Sequence, residues 1–148
     1  METNLGYLLS DSGRLLRKTF DERVRSLGLT AVQARLLLSL FKFPDNNQAF
    51  YAERIEVEPI TLTRLVDRME EAGWIERVPD PTDRRARLLH LTAKSREIVE
   101  PLRVIVNGLV EDMAEGLSSG ERETLAELLE KVSANLSAER EFKDVANG

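Results

Sequence analysis

The stretch TLTRLVDRMEEAGWIERVPDPTDRRARLLHLT, residues 61–92, decides the fold. Leu62, Leu65, Val66 and Met69 recur at i, i+3, i+4 and i+7, the spacing of one face of an α-helix. Pro59, just upstream, suits the first turn of that helix, where its missing amide proton has no partner to lose, and Gly73 supplies a left-handed stop. With the four apolar residues inward, the 100° step places Ile60, Thr63, Arg64, Asp67 and Glu71 on the opposite side, flanked by Thr61 and Arg68. Trp74 to Val78 reads as a strand, PDPTD as a turn and Arg87 to Leu91 as the returning strand. A helix followed by a basic hairpin is the order of a winged helix.

Upstream, a short helix from about Gln48 to Ile55 and the tight link Glu56-Val57 complete a helix-turn-helix. Thr30 and Gln33 have capping-box spacing and open a helix that runs through Leu36 to Phe41 and stops before the turn Pro44-Asp45-Asn46-Asn47. A first helix, Leu5 to Ser26, carries the stripe Leu5, Leu9, Leu16, Phe20 and Val24, for burial against partner helices, and ends at Gly28. Downstream, Thr92 caps a helix expected to reach Gly116 with a bend at Pro101. Its residues Val99, Leu102, Val106, Leu109 and Met113 predict a seam between two protomers. Ser118 and Glu121 repeat the capping box before a last helix with Leu125, Leu128, Leu129, Val132 and Leu136 on one face, and the polar chain beyond Ala138 is expected to fray. The fold class is therefore mainly α with a small β-hairpin wing. A winged helix-turn-helix occupies residues 30–91, and helical dimerisation regions occupy 1–29 and 92–148.

Composition narrows the chemistry. The chain has 148 residues, 42% hydrophobic and 32% charged, and no apolar run long enough to span a bilayer. The start METNLGYLLSDSGR lacks the pattern of a secretory signal, so a cytoplasmic location with no membrane partner is expected. With no cysteine and one histidine, His90, disulfides, thiolate zinc and imidazole metal clusters fall away, and neither metal nor cofactor is expected. No nucleophile with a base and no catalytic carboxylate pair has recognisable spacing, so an enzyme is not expected.

The net charge of −5 is unevenly distributed: +3 over residues 1–43, −6 over 44–83, +4 over 84–110 and −6 over 111–148. Local fields govern contact with phosphate more than the total does. The helix after Pro59 lies in an acidic block, and Glu70 and Glu71 fall near the end that would leave a DNA groove. Its N-terminal half supplies the expected base readers Ile60, Thr61, Thr63 and Arg64, with Arg68 meeting a phosphate. Arg84, Arg85 and Arg87 would serve the wing, where arginine can enter the minor groove. Taken alone, that turn reads better as a solvated run neutralised by Asp80 and Asp83. Its adjacency to a helix-turn-helix favours double-stranded DNA over the alternative, a winged-helix protein-interaction module.

The segment from Leu27 to Leu102, about half the chain, resembles the core of the MarR regulators, with residues 61–92 matching almost position by position. The resemblance implies a homodimer whose terminal helices intertwine and which binds a pseudo-palindromic operator. It implies DNA contacts at Thr61, Thr63, Arg64 and Arg68, minor-groove entry by Arg85, and Asp83 as the residue that holds Arg85. Phe50 and Tyr51 depart from the common pattern, as core residues or as the lining of a ligand cavity. The missing cysteine argues against the peroxide-sensing branch. The chain's ends resemble the SlyA-like branch, whose members release DNA on binding small aromatic acids. Arg14, Arg17 and Gln33 match positions that approach such ligands, though the two arginines also read as snorkelling surface residues. The implied function is repression relieved by a small-molecule effector.

Overall fold

A computed structural model of the chain describes residues 4–147, with side chains through residue 137. Its elements are α1 (Leu5–Val24), a 3-10 turn (Arg25–Leu27), α2 (Ala31–Lys42), β1 (Asn46–Asn47), α3 (Gln48–Arg54), α4 (Pro59–Glu71), β2 (Ile75–Pro79), β3 (Arg87–Leu91), α5 (Ala93–Met113) and α6 (Ser119–Asn147). The fold is mainly helical with a three-stranded antiparallel sheet in the order β1-β3-β2. Two compact units form, Met1–Val110 and Glu111–Gly148.

Local chemistry sets the helix starts. The Thr30 hydroxyl accepts from the Gln33 amide, and the Gln33 side chain accepts from the Thr30 amide. This satisfies two donors that the first turn of α2 would otherwise leave free. Ser118 and Glu121 repeat the exchange at α6. Bonds from Ser118, its amide first and its side chain second, hold the Glu121 carboxyl below its usual range. Replacing Thr30 with alanine is expected to lower stability by about 0.5–2 kcal/mol, seen as an earlier urea midpoint with an unchanged slope.

The core of the first unit gathers Leu36, Leu37 and Leu40 of α2, Tyr51 of α3, Leu62, Val66 and Met69 of α4, Ile75 of β2 and Leu89 of β3. Turns between these helices need unusual backbone: Glu56 (φ 57°) sits left-handed between α3 and α4, and Gly73 (φ 80°) between α4 and β2. No single helix among the described residues is long and apolar enough to cross a membrane.

Several expectations need correction. Asn46 and Asn47, read as part of a turn, form a short strand pairing with Leu89 and Leu88 of β3, an edge too brief to show any alternation in sequence. Of the seam assigned to a partner, Val99, Leu102 and Leu109 are buried within the chain's own fold, Val106 is partly buried and Met113 is exposed. The α5 periodicity records that some partner is packed, not which chain supplies it. Helix α5 ends at Met113, short of Gly116, and contains Pro101. Helix α1 gives way to a 3-10 turn after Val24, and backbone helix continues past Ala138 to Asn147; side chains beyond 137 lie outside the described residues. On α1, Phe20 and Val24 are buried, whereas Leu5, Leu9 and Leu16 are exposed on the isolated chain. Leu125, Leu128, Leu129, Val132 and Leu136 of α6 are likewise exposed.

Candidate nucleic-acid interface

Helix α4 turns Leu62, Leu65, Val66 and Met69 into the core and leaves Ile60, Thr61, Thr63, Arg64, Asp67, Arg68 and Glu71 exposed. Arg64 has no carboxylate partner among the described residues, so its guanidinium donors are available. Thr63 is already engaged. Its hydroxyl donates to the Pro59 carbonyl at 3.0 Å and accepts from the Gln48 Nε2 at 3.0 Å, which leaves mainly its methyl group for a base edge.

Arg77, on β2, organises the acidic side of this helix. Its guanidinium donates to Asp67 at 2.6 Å, to Glu70 at 2.9 Å and, through Nε, to the Gln48 side-chain oxygen at 2.9 Å. The Arg77 amide donates to the second Glu70 oxygen at 3.2 Å. One mostly buried cation therefore compensates two carboxylates of the acidic block and fixes Gln48 against Thr63. Both Arg77 and Gln48 escaped the sequence reading. A signal existed for Arg77: strand alternation puts it on the Ile75 side, toward α4, where Asp67 and Glu70 stand three residues apart.

At the wing, Arg84, Arg85 and Arg87 are exposed, and none has a carboxylate partner among the described residues. The two aspartates of the turn are used otherwise. Asp80 accepts from the Thr82 amide at 2.8 Å and the Thr82 hydroxyl at 2.7 Å. Asp83 accepts from the Arg85 amide at 2.9 Å. Asp83, the residue expected to hold Arg85, does so at the backbone, because a short aspartate side chain reaches the amide two residues on. The Thr82 backbone and side-chain bonds hold the Asp80 carboxyl below its usual range. A lowered carboxyl pKa means the turn's bonds are intact above the ordinary range and lost as pH falls through the lowered value. An NMR titration should find Asp80 ionising at lower pH than a free aspartate, with Thr82→Ala moving it back.

Behind the interface, the Tyr51 hydroxyl donates to the Phe43 carbonyl at 2.5 Å and accepts from the Asn46 amide at 3.3 Å. Burial, the main influence, pushes its phenol above the usual pKa. Phe50 packs edge-on to both Tyr51 and Phe43. Tyr51 is core and Phe50 packs against it, and together they fix the turn that leads into α3. Among the described residues no three His, Asp or Glu side chains could hold a metal ion.

A sequence model of the MarR family matches residues 29–86, from the start of α2 to the wing. A cysteine-to-serine mutant of E. coli MarR, solved in complex with operator DNA, is 30% identical over 86% of this chain and 92% of its own, with a TM-score of 0.70. The chain belongs to the MarR family. Wild-type apo MarR from E. coli is 29% identical over 89% of this chain and 98% of its own, with a TM-score of 0.75. A MarR protein from Peptoclostridium difficile, 24% identical with a TM-score of 0.78, covers 94% of this chain and 91% of its own and supports the fold alone. As a MarR family member the protein is a transcription regulator.

The three residues considered for an effector border no common depression among the described residues. Arg14 is paired with Asp11 at 2.8 Å. Arg17 borders a surface depression with Arg35 and Arg54, and Gln33, engaged in its capping box, borders another beside Arg68 and Trp74.

Proposed function

We propose that this protein is a cytoplasmic homodimeric repressor that reads a pseudo-palindromic duplex. Arg64, with Ile60, Thr61 and Thr63, contacts base edges, and Arg68 binds phosphate. Arg84, Arg85 and Arg87 carry the wing, with Arg85 in the minor groove and Asp83 shaping the turn beneath it. The observation that carries this reading is the outward face of α4, where Arg64 is unpaired while Arg77 takes up Asp67 and Glu70. Free carboxylates on a recognition helix would repel phosphate; of the three on α4, Asp67 and Glu70 are engaged by Arg77, and Glu71 lies at the C-terminal end, away from the reading residues. The operator complex of the E. coli relative adds support.

Residues 30–91 act as the DNA-binding module, and the helices on either side join two copies. The exposed leucines of α1 and of α6 support that pairing. In this reading a small aromatic acid at the α1 surface near Arg14, Arg17 and Gln33 releases the DNA by favouring a dimer whose recognition helices are wrongly spaced.

Sequencing genomic fragments retained by the purified protein would yield the operator. Anisotropy with that duplex should then show affinity falling steeply between 50 and 200 mM salt, since each phosphate contact releases counterions. Failure to bind any duplex at low salt would remove the reading.

A further inference from the structure

We propose that Thr63 reads the 5-methyl group of a thymine in each half of the operator, and that Gln48 is the positioning residue that turns Thr63 to this task; both roles rest on the DNA-binding function proposed for α4. Arg77 fixes the direction of the bonds that connect them. Its guanidinium can only donate, so the Gln48 atom that meets the Arg77 Nε at 2.9 Å is the side-chain oxygen. The Gln48 nitrogen therefore faces Thr63 and donates to its hydroxyl at 3.0 Å. A hydroxyl carries one proton, and that of Thr63 goes to the Pro59 carbonyl at 3.0 Å, one turn back on α4.

With its proton committed, Thr63 cannot donate to the acceptors that guanine, adenine and thymine present in the major groove. A helical threonine ordinarily divides between two side-chain rotamers, both of which bring its oxygen to a carbonyl of the preceding turn. The bond from Gln48 selects one of them, so a residue of α3 sets the orientation of a side chain on α4. What Thr63 still offers is its methyl group, on the exposed side of α4 beside Arg64. Among the four bases only thymine presents a methyl group in the major groove. The remaining lone pair of the hydroxyl would instead accept from an adenine or cytosine amino group, a contact indifferent to that methyl. Arg64, with its donors unpaired, suits guanine, so the two neighbours divide the reading between a polar and an apolar contact. Covering one methyl group is worth about fourfold in affinity.

The full-length protein would be titrated by anisotropy with the duplex recovered from retained genomic fragments, and with duplexes in which each thymine in turn is replaced by deoxyuridine. That replacement removes the methyl group and keeps the base pairing. At least one thymine in each half-site should respond, with affinity falling about fourfold. Thr63→Ser keeps the hydroxyl and removes the methyl, so at that position it should bind thymine and uracil duplexes equally. Gln48→Ala releases the second rotamer and should reduce the thymine-to-uracil ratio to about twofold, a change that loss of stability alone would not produce. Urea midpoints would show that each variant is folded. The proposal is overturned if no uracil duplex binds more weakly, or if every response survives in Thr63→Ser; an unchanged ratio in Gln48→Ala overturns the role of Gln48. An intact operator complex indifferent to uracil removes this proposal alone, whereas failure to bind any duplex removes the DNA-binding function and the proposal together.

Discussion

Replacing Arg64 with alanine should cost about 1–3 kcal/mol of affinity for the operator, roughly five- to 150-fold, with little change in binding to an unrelated duplex. The side chain is exposed and unpaired, so truncation removes donors without leaving a buried charge or a cavity behind. Stability should stay within about 0.5 kcal/mol of the parent. Competition between operator and scrambled duplex separates the two effects. Equal losses on both DNAs would reassign Arg64 to phosphate, and no loss on either would exclude it from the interface. Arg68→Ala provides the contrast, weakening both duplexes together and flattening the salt dependence.

Arg77→Ala should behave in the opposite way, damaging the fold as well as DNA binding. The side chain is mostly buried and touches Asp67, Glu70 and Gln48. Its loss strands partners on α3 and α4, a cost of about 1–3 kcal/mol seen in the urea midpoint. DNA affinity should also fall about tenfold, since two carboxylates on the reading helix become uncompensated and Gln48 loses its anchor. Combining Arg77→Ala with Asp67→Asn and Glu70→Gln should recover most of the DNA affinity, because the repulsion is removed, but not the lost stability. If the triple variant bound DNA no better than Arg77→Ala, charge compensation would not be the role of this arginine.

The elements that announce themselves in sequence are those governed by a short repeat or a capping pair. Leu62, Leu65, Val66 and Met69 mark α4 because a single helix face must meet one core, and Thr30 with Gln33 marks the start of α2 because both halves of the exchange lie within one turn. The outward set on α4 follows directly from the inward one. What stayed hidden depends on long-range partners. The Arg77 network joins residues up to 29 positions apart, and β1 exists only because β3 returns beside it. For α5, Val99, Leu102 and Leu109 showed the right period for packing, yet a period carries no address, and the partner turned out to be the same chain. Asp83 illustrates a finer limit. Its presence near Arg85 was legible, but whether it grips the guanidinium or the amide is a matter of side-chain reach that spacing does not resolve.

Trp74 follows the left-handed Gly73 at the junction of α4 and β2; its amide donates to the Met69 carbonyl, and Lys94 of α5 lies over its ring at 5.4 Å. It is the chain's sole tryptophan. Emission from this indole therefore arises at one place only, the joint linking the recognition helix to the wing. Excited at the red edge of its absorption, where Tyr7 and Tyr51 scarcely absorb, it lets label-free fluorescence follow that joint as duplex or an effector is added.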